Sequence, residues 1–263
     1  MRVAVTGATG FIGRHVVAQL RKRGIEPVTE RIDLHARTDD AFDRLGKPDV
    51  VIHLAWGGLP NYASSHHLDV ELPAQVAFVE GLIASGLRRL LVTGTCLEYG
   101  MQYGPLHEGL PTAPGTAYGK AKDALRVRLQ QLQTERPFEL TWARLFYLYG
   151  EGQASTSLLP QLEEAIERGD KTFDMSHGEQ LRDFQPVEEA ADQIVRLTLT
   201  GGHGVVNVCS GQPISVRRLA EQFASSKASG IRLNLGRYSV PEYEPLAFWG
   251  SNEKLTRSLE GTQ

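Results

Sequence analysis

Thr6-Gly7-Ala8-Thr9-Gly10-Phe11-Ile12-Gly13 follows a short apolar run, Val3-Ala4-Val5, and opens into Arg14 to Arg23, where Val16, Val17 and Leu20 recur at helical spacing. The pattern predicts strand, tight turn, helix. Backbone N–H groups at such a helix start have no intrahelical partner and point at one spot, with the positive end of the macrodipole behind them. That suits a pyrophosphate. Gly7 would allow the tight turn, Gly10 a close approach of backbone to phosphate, and Gly13 close packing of helix on strand. The spacing is G-x-x-G-x-x-G rather than G-x-G-x-x-G, so the flanking strand and helix carry the reading as much as the glycines do.

The surrounding chain is an ordinary globular one. Its 263 residues, 41% apolar and 22% charged, can bury a sizeable core and fit one large or one and a half domains. A formal net charge of -3 and the lack of a Lys/Arg-rich run give no field for a nucleic-acid partner. Cys96 and Cys209 lie far apart with no C-x-x-C pattern, so no disulfide framework and no metal site is expected. Position 1 runs almost directly into the first strand, and no apolar run of about 18 residues occurs. A cytoplasmic protein without a signal peptide or membrane contact is expected.

Beyond the first helix, residues Glu26 to Arg31 should form a second strand whose end meets the adenosine ribose of a dinucleotide. An acid there would accept from a 2′-hydroxyl and repel a 2′-phosphate, whereas Arg31 offers a fork that fits the phosphate. Glu30 and Asp33 lie close by and pull the other way. Asp39 to Leu45 reads as a short helix and Asp49-Val50-Val51-Ile52-His53-Leu54-Ala55 as a buried parallel strand, with His53 a hydrogen-bonded structural residue. A loop, Trp56 to Ser65, leads to a long helix from Leu68 to Ser85. The next strand, Leu90 to Thr93, ends in Thr93-Gly94-Thr95-Cys96-Leu97-Glu98-Tyr99-Gly100, which puts hydroxyls where open α/β sheets hold their ligands. From Tyr118 to Thr134 the pattern is helical again, and Tyr118 and Lys122, four apart, share a face. An ammonium beside a phenol would lower the phenol's pKa towards neutrality.

Together these residues resemble the extended short-chain dehydrogenase/reductases, the nucleotide-sugar branch in particular. The likeness rests on the glycine turn, Asp49 to Ala55, Thr93-Gly94-Thr95 with Tyr99-Gly100, and Tyr118 with Lys122. Two further stretches extend it: Arg144-Leu145-Phe146-Tyr147-Leu148-Tyr149-Gly150, and Arg182-Asp183-Phe184 leading through Val187 into a helix, Glu188 to Thr200. The resemblance implies a doubly wound parallel α/β sheet of Rossmann type with a smaller, partly discontinuous carboxyl-terminal substrate domain. Residues 1–150 would be the dinucleotide-binding part, with returning segments at about 180–210, and residues 151–263 mainly the substrate part.

By position, the resemblance makes Thr95, Tyr118 and Lys122 catalytic. Thr95 would bind the carbonyl or alcohol oxygen, Tyr118 would be the general acid, and Lys122 would hold the cofactor ribose. NADP, with NAD possible, would lie on Gly7, Thr9, Gly10, Phe11, Ile12, Gly13, Arg31, Asp33, Leu34, Leu54, Ala55, Thr93, Tyr118 and Lys122, the Asp33-Leu34 pair meeting adenine. Thr95, Cys96, Arg144 and Arg182 would face a nucleotide diphosphate sugar, Arg182 as a phosphate clamp or else as a structural ion pair. A homodimer through the helices Leu68–Ser85 and Tyr118–Thr134 is implied.

Three departures narrow the chemistry. The helix before the Thr93 strand has Val70-Glu71-Leu72 where the family often has Asn. Cys96-Leu97 replaces the Asp-Glu of the 4,6-dehydratases, which disfavours water elimination. Cys96 follows Thr95 by one residue rather than the two of the GDP-fucose synthases, which turns it to the other face and makes it a buried inert thiol. The tail from Pro245 to Thr262 is short for the family, so part of the substrate cover would be trimmed. The expected activity is NADPH-dependent reduction of a keto group, at C4, on a nucleotide-linked deoxysugar. An NAD-retaining epimerase and a non-catalytic NADP-binding regulator are the alternatives.

Overall fold

In a computed structural model that describes residues 1–239 and 244–260, five strands form one parallel sheet in the spatial order Val3–Thr6, Val50–His53, Arg89–Thr95, Glu139–Leu145, Gly204–Val208. The tail expectation therefore lies outside the described residues at 261–262. The first half of the chain gives β1 (Val3–Thr6), α1 (Phe11–Lys22), α2 (Ala41–Arg44), β2 (Val50–His53), α3 (Leu72–Ala84), β3 (Arg89–Thr95), β4 (Gly104–Leu106) and α4 (Ala117–Glu135). Next come β5 (Glu139–Leu145), β6 (Tyr147–Tyr149), α5 (Leu158–Glu167), β7 (Thr172–Asp174), β8 (Leu181–Pro186), α6 (Val187–Thr200) and β9 (Gly204–Val208). The last elements are β10 (Pro213–Ser215), α7 (Val216–Ser226), β11 (Arg232–Asn234), β12 (Phe248–Gly250) and α8 (Glu253–Glu260).

Alternation along each strand builds two cores. Val3 and Val5 point to one face, where α1, α6 and α8 supply Val16, Leu20, Ile194, Leu197 and Leu255. Ala4 points to the other, with Phe78 and Leu82 of α3 and Leu125, Leu129 and Leu132 of α4. Because helices cover both faces, the strands can be apolar throughout, and β1 and β2 are buried at every position. Each fully buried leucine here contributes about 1.5–3 kcal/mol. A third, smaller core around Leu162, Met175 and Ala220 joins α5 and α7 to the β7–β11 pair. A three-stranded sheet has the order β10-β8-β6, and the β4–β12 pair brings Leu106 and Phe248 into a further cluster with Cys96, Tyr99 and Phe146.

The expected second strand, 26–31, is reduced to one parallel bridge between Val28 and Ala4. Val28 N–H donates to the Val3 carbonyl at 2.8 Å and Val5 N–H to the Val28 carbonyl at 2.9 Å. Pro27 just before it has no N–H to give, which fits a ladder this short. The long helix expected from Leu68 is split into a π-turn, His67–Glu71, and α3. Pro73, near the start of α3, lacks the N–H that would bond back to Asp69 and crowds its carbonyl, so the wider turn relieves a clash. No described helix is long and apolar enough to cross a membrane.

Candidate active site

The glycine turn is built as its residues require. Gly7 sits at φ +69°, and a Cβ there would meet Ala55 N at 2.8 Å, while a Cβ on Gly13 would fall 2.0 Å from the Gly7 carbonyl. The turn thus leaves no room for side chains between β1, α1 and the segment after β2. Gly10 caps α1 without a side chain, and the first turn holds no acid. Helix-start N–H groups beside Thr9, Phe11 and Ile12 have no intrahelical acceptor, so a pyrophosphate could be held there.

Behind this turn runs a polar chain that holds it in place. Thr6 Oγ1 lies 2.7 Å from His53 Nδ1, and His53 Nε2 lies 2.5 Å from Gln75 Oε1. An amide oxygen only accepts, so Nε2 carries the proton and Nδ1 accepts from Thr6. Burial pulls the His53 pKa down to about 4, so the ring stays neutral, and its role is structural as its sequence position suggested. Gln75 Nε2 then donates to the Ala55 carbonyl at 3.0 Å, fixing Leu54 and Ala55 beside the glycines.

Arg31, Asp33, Leu34 and Ala55 line one pocket of about 520 Å³, together with His35, Arg44, Trp56, Gly57 and Glu71. Asp33 Oδ1 accepts from His35 N–H at 3.0 Å, so this acid is turned into its own loop. Glu30 is likewise engaged, by Arg44 at 2.9 Å. Arg31 thus lines the pocket while Asp33 and Glu30 each already have another partner.

At the carboxyl end of β3 and β5, a second cleft of about 590 Å³ is lined by Phe11, Ile12, Thr95, Cys96, Tyr118, Tyr147 and Glu244, with apolar walls from Leu59, Phe146, Leu148 and Leu219. Thr95 ends β3, and its Oγ1 accepts from Leu97 N–H at 3.3 Å while its own N–H donates to Glu98 Oε1 at 2.8 Å. This is a reciprocal capping box across Thr95-Cys96-Leu97-Glu98. Glu98 is fully buried and also accepts from Trp142 Nε1 at 3.0 Å and Arg144 Nε at 2.6 Å. Burial pushes its carboxyl up, and the Arg144 guanidinium resists that shift. Gly94 is required here, since a Cβ on it would stand 2.2 Å from the Trp142 indole nitrogen.

Tyr118 and Lys122 occupy the first turns of α4, which Thr116 caps by accepting from Gly119 N–H at 3.0 Å. Lys122 is 3% exposed; its Nζ donates to the Thr93 carbonyl at 2.9 Å and lies 3.9 Å over the Trp56 ring. It stands 5.9 Å from the Tyr118 ring centroid. The expected lowering of the Tyr118 pKa does not follow from this geometry. Burial dominates and pushes the phenol up, with Tyr62, Glu98 and Cys96 adding to the effect. The same burial pulls Lys122 down to about 7, against the attraction of Glu98 and Glu71. Thr93 contributes its carbonyl rather than its hydroxyl.

Two arginines expected on the substrate side are committed elsewhere. Arg144 is 2% exposed, bonded to Glu98 and stacked 4.5 Å over the Tyr99 ring, and does not line the cleft. Arg182 forms the structural ion pair that was one of its two readings, with Glu244 at 2.9 Å and its guanidinium 4.5 Å over the Phe248 ring. Glu244, which also accepts from Tyr147 Oη, is the group that faces the cleft. Cys96 touches the cleft as a buried thiol whose pKa burial pushes up, so it stays neutral and unreactive. Glu98, Trp142, Trp56 and Glu244 were not picked out from sequence, although the T-x-x-E spacing marked Glu98.

A family model described as the NAD dependent epimerase/dehydratase family matches residues 3–209. Among curated relatives, the chain is 26% identical over 270 residues to a dTDP-6-deoxy-L-talose 4-dehydrogenase (NAD(+)) of Aggregatibacter actinomycetemcomitans, covering 95% of this chain and 100% of that one. It is 30% identical over 246 residues to a GDP-6-deoxy-D-mannose reductase of Pseudomonas aeruginosa, covering 85% and 79%. Among solved structures, MoeE5 in complex with UDP-glucose and NAD superposes with a TM-score of 0.84 at 25% identity, over 99% of this chain and 92% of that one. RMD from Pseudomonas aeruginosa complexed with NADPH, at 24% identity, shares the fold with a TM-score of 0.82 over 98% and 92%.

Proposed function

The chain belongs to the NAD-dependent epimerase/dehydratase family, and on that premise we propose that it reduces the C4 keto group of a nucleotide-linked 6-deoxyhexose with NADPH. The observation that carries this reading is the pairing of Thr95 and Tyr118 in one largely apolar cleft that begins at the glycine turn. Relatives named as a 6-deoxytalose 4-dehydrogenase and a 6-deoxymannose reductase support the substrate class.

Gly7, Thr9, Gly10, Phe11, Ile12 and Gly13 would hold the pyrophosphate, with Leu54 and Ala55 alongside it. Asp33-Leu34 would meet the adenine, Arg31 the 2′-phosphate, and Lys122 with the Thr93 backbone the nicotinamide ribose. Bound there, NADPH supplies the hydride. The remaining work is electrostatic and falls to side chains. As the carbonyl is reduced, negative charge grows on its oxygen, and the hydroxyls of Thr95 and Tyr118 meet it where apolar walls strengthen each hydrogen bond. Burial keeps the Tyr118 phenol protonated at neutral pH, so the proton to be donated is in place. A raised phenol pKa does not hinder the transfer, because an alkoxide is a far stronger base than a phenolate. Lys122, held near 7, is poised to return a proton to Tyr118. Arg182 could reach a diphosphate only by giving up Glu244.

Thermal-shift measurements across a panel of nucleotide-linked sugars test the reading. NADPH should add stability, and nucleotide-linked 6-deoxyhexoses should add more. If no nucleotide sugar adds to the NADPH shift, the substrate class is wrong.

Arg31→Ala should weaken NADPH binding by about 1–3 kcal/mol, the range of a charge-assisted hydrogen bond, and leave NADH nearly unaffected. Calorimetric titration with both cofactors checks this, and equal losses would remove Arg31 from the 2′-phosphate.

A homodimer is part of the same proposal. Outward positions of α3, namely Pro73, Ala77, Gly81 and Ala84, are exposed and small or apolar, and Val127 of α4 is 39% exposed. Two such helices from each copy would cover one another across a two-fold axis. Sedimentation at micromolar concentration should give twice the 29.0 kDa chain mass. A single-chain mass would count against it. We also assign the enzyme to a reducing, cytoplasmic setting, in keeping with two free, buried cysteines.

A further inference from the structure

We propose that Trp56 is a positioning residue for Lys122, its ring serving as the seat on which the buried ammonium is held in its charged form beside Tyr118. The inference rests on the role proposed for Lys122 above.

The contact is direct. Lys122 Nζ lies 3.9 Å from the Trp56 ring centroid, and among the described residues the Thr93 carbonyl, at 2.9 Å, is its one hydrogen-bond partner. A lysine 3% exposed tends to shed its proton, because burial penalises the ammonium. The negative face of an indole offsets that penalty, and more so where water is excluded.

Trp56 is itself pinned. Its Nε1–H donates to His67 Nδ1 at 3.2 Å, and His67 Nε2 lies 2.9 Å from the Asn61 carbonyl. An indole nitrogen only donates, so Nδ1 must be the acceptor and Nε2 carries the proton given to Asn61. His67 is fully buried in the π-turn, with both nitrogens satisfied, and it locks the indole plane. The same two rings flank the acid: Trp56 meets the Tyr118 ring edge-on at 5.8 Å and His67 meets it at 5.2 Å. The loop after β2 therefore sets the position of both Tyr118 and Lys122.

Other charged or titratable groups around Lys122 do not substitute for the ring. Glu98, from the turn after β3, is spent on Arg144, Trp142 and Thr95. Glu71, from the π-turn, is shared between His35 at 3.0 Å and His66 at 3.3 Å. His53 of β2 is neutral, and Tyr118 on the same helix is protonated. The two carboxylates draw the ammonium from a distance, whereas the indole face touches it.

Two measurements test the proposal. The first is the pH dependence of tryptophan emission in the protein without added cofactor, since an ammonium against an indole perturbs its emission and the perturbation should disappear as Lys122 deprotonates. Wild type should show a transition near neutral pH that is absent from both Lys122→Met and Trp56→Phe. The second is the pH profile of kcat. Trp56→Leu should move the alkaline limb down by about one pH unit, and Trp56→Phe, which keeps a weaker ring face, by roughly half as much. A wild-type limb in Trp56→Leu, or an emission transition that survives in Lys122→Met, overturns the proposal. Should Trp56→Leu not fold, the emission comparison decides alone. Full turnover in Lys122→Met would instead overturn the role of Lys122, while the emission result still reports the contact.

Discussion

Tyr118→Phe should lower kcat by about 10²–10⁴-fold, the usual cost of removing a positioned general acid, while NADPH affinity stays nearly intact. The substitution removes one oxygen and little else. The ring keeps its neighbours Trp56, Tyr62 and His67, whose centroids lie 5.2–5.8 Å away, so the start of α4 should not move. Thr95 remains as a donor to the developing charge, and that sets a floor under the loss. Lys122→Met is expected to differ, damaging cofactor binding as well as kcat, because that side chain serves both the ribose and the proton. Steady-state kinetics with an independent NADPH titration distinguish the two variants. An unchanged kcat in Tyr118→Phe would take the proton donor away from this residue.

Glu98→Ala should destabilise the fold by about 3–5 kcal/mol, the range for removing one partner of a buried ion pair. Three donors converge on that carboxylate, from Thr95, Trp142 and Arg144, and all would lose it at once. Arg144 would suffer most. It is 2% exposed, and among the described residues its Nη1 already lacks a hydrogen-bond partner. Arg126, 3.9 Å from Glu98, cannot compensate, since it has the same sign of charge as Arg144. Turnover should fall beyond what unfolding explains, because the capping box also aims Thr95. Glu98→Gln should be milder, keeping an acceptor for Thr95 while losing the charge opposite Arg144. Urea unfolding of both variants measures the difference, and a cost below about 1 kcal/mol for Glu98→Ala would place the pair among weak surface-like contacts.

Much of this was legible because it is local. The glycine turn, the apolar strands and the Tyr118–Lys122 spacing each repeat a short pattern whose physical cause lies within a few residues. What was not legible depends on partners far along the chain. Arg182 reads as a phosphate clamp until Glu244, separated from it by 62 positions, is seen to take its guanidinium. Arg144 is similar, with Glu98 46 residues before it. The sign of the Tyr118 shift is hidden from the sequence for the same reason. Sequence shows the lysine one turn away but not the Trp56, Tyr62 and His67 rings that bury the phenol, and burial outweighs the charge. The π-turn was hidden because Leu68 and Leu72, four apart, continue the helical pattern, and only Pro73 hinted at the break. β4 and β12, three residues each, are too short to show any period.

The central claim is net reduction, and the redox balance tests it most directly. An epimerase of the same family restores its bound cofactor in every cycle, whereas a reductase consumes one NADPH per sugar. Mixing the protein with NADPH and a nucleotide-linked 4-keto-6-deoxyhexose, and following absorbance at about 340 nm while the product is quantified, separates the two. Net reduction gives a fall in absorbance matched one for one by reduced sugar. A product that accumulates while the absorbance stays flat would contradict it and leave the epimerase in its place.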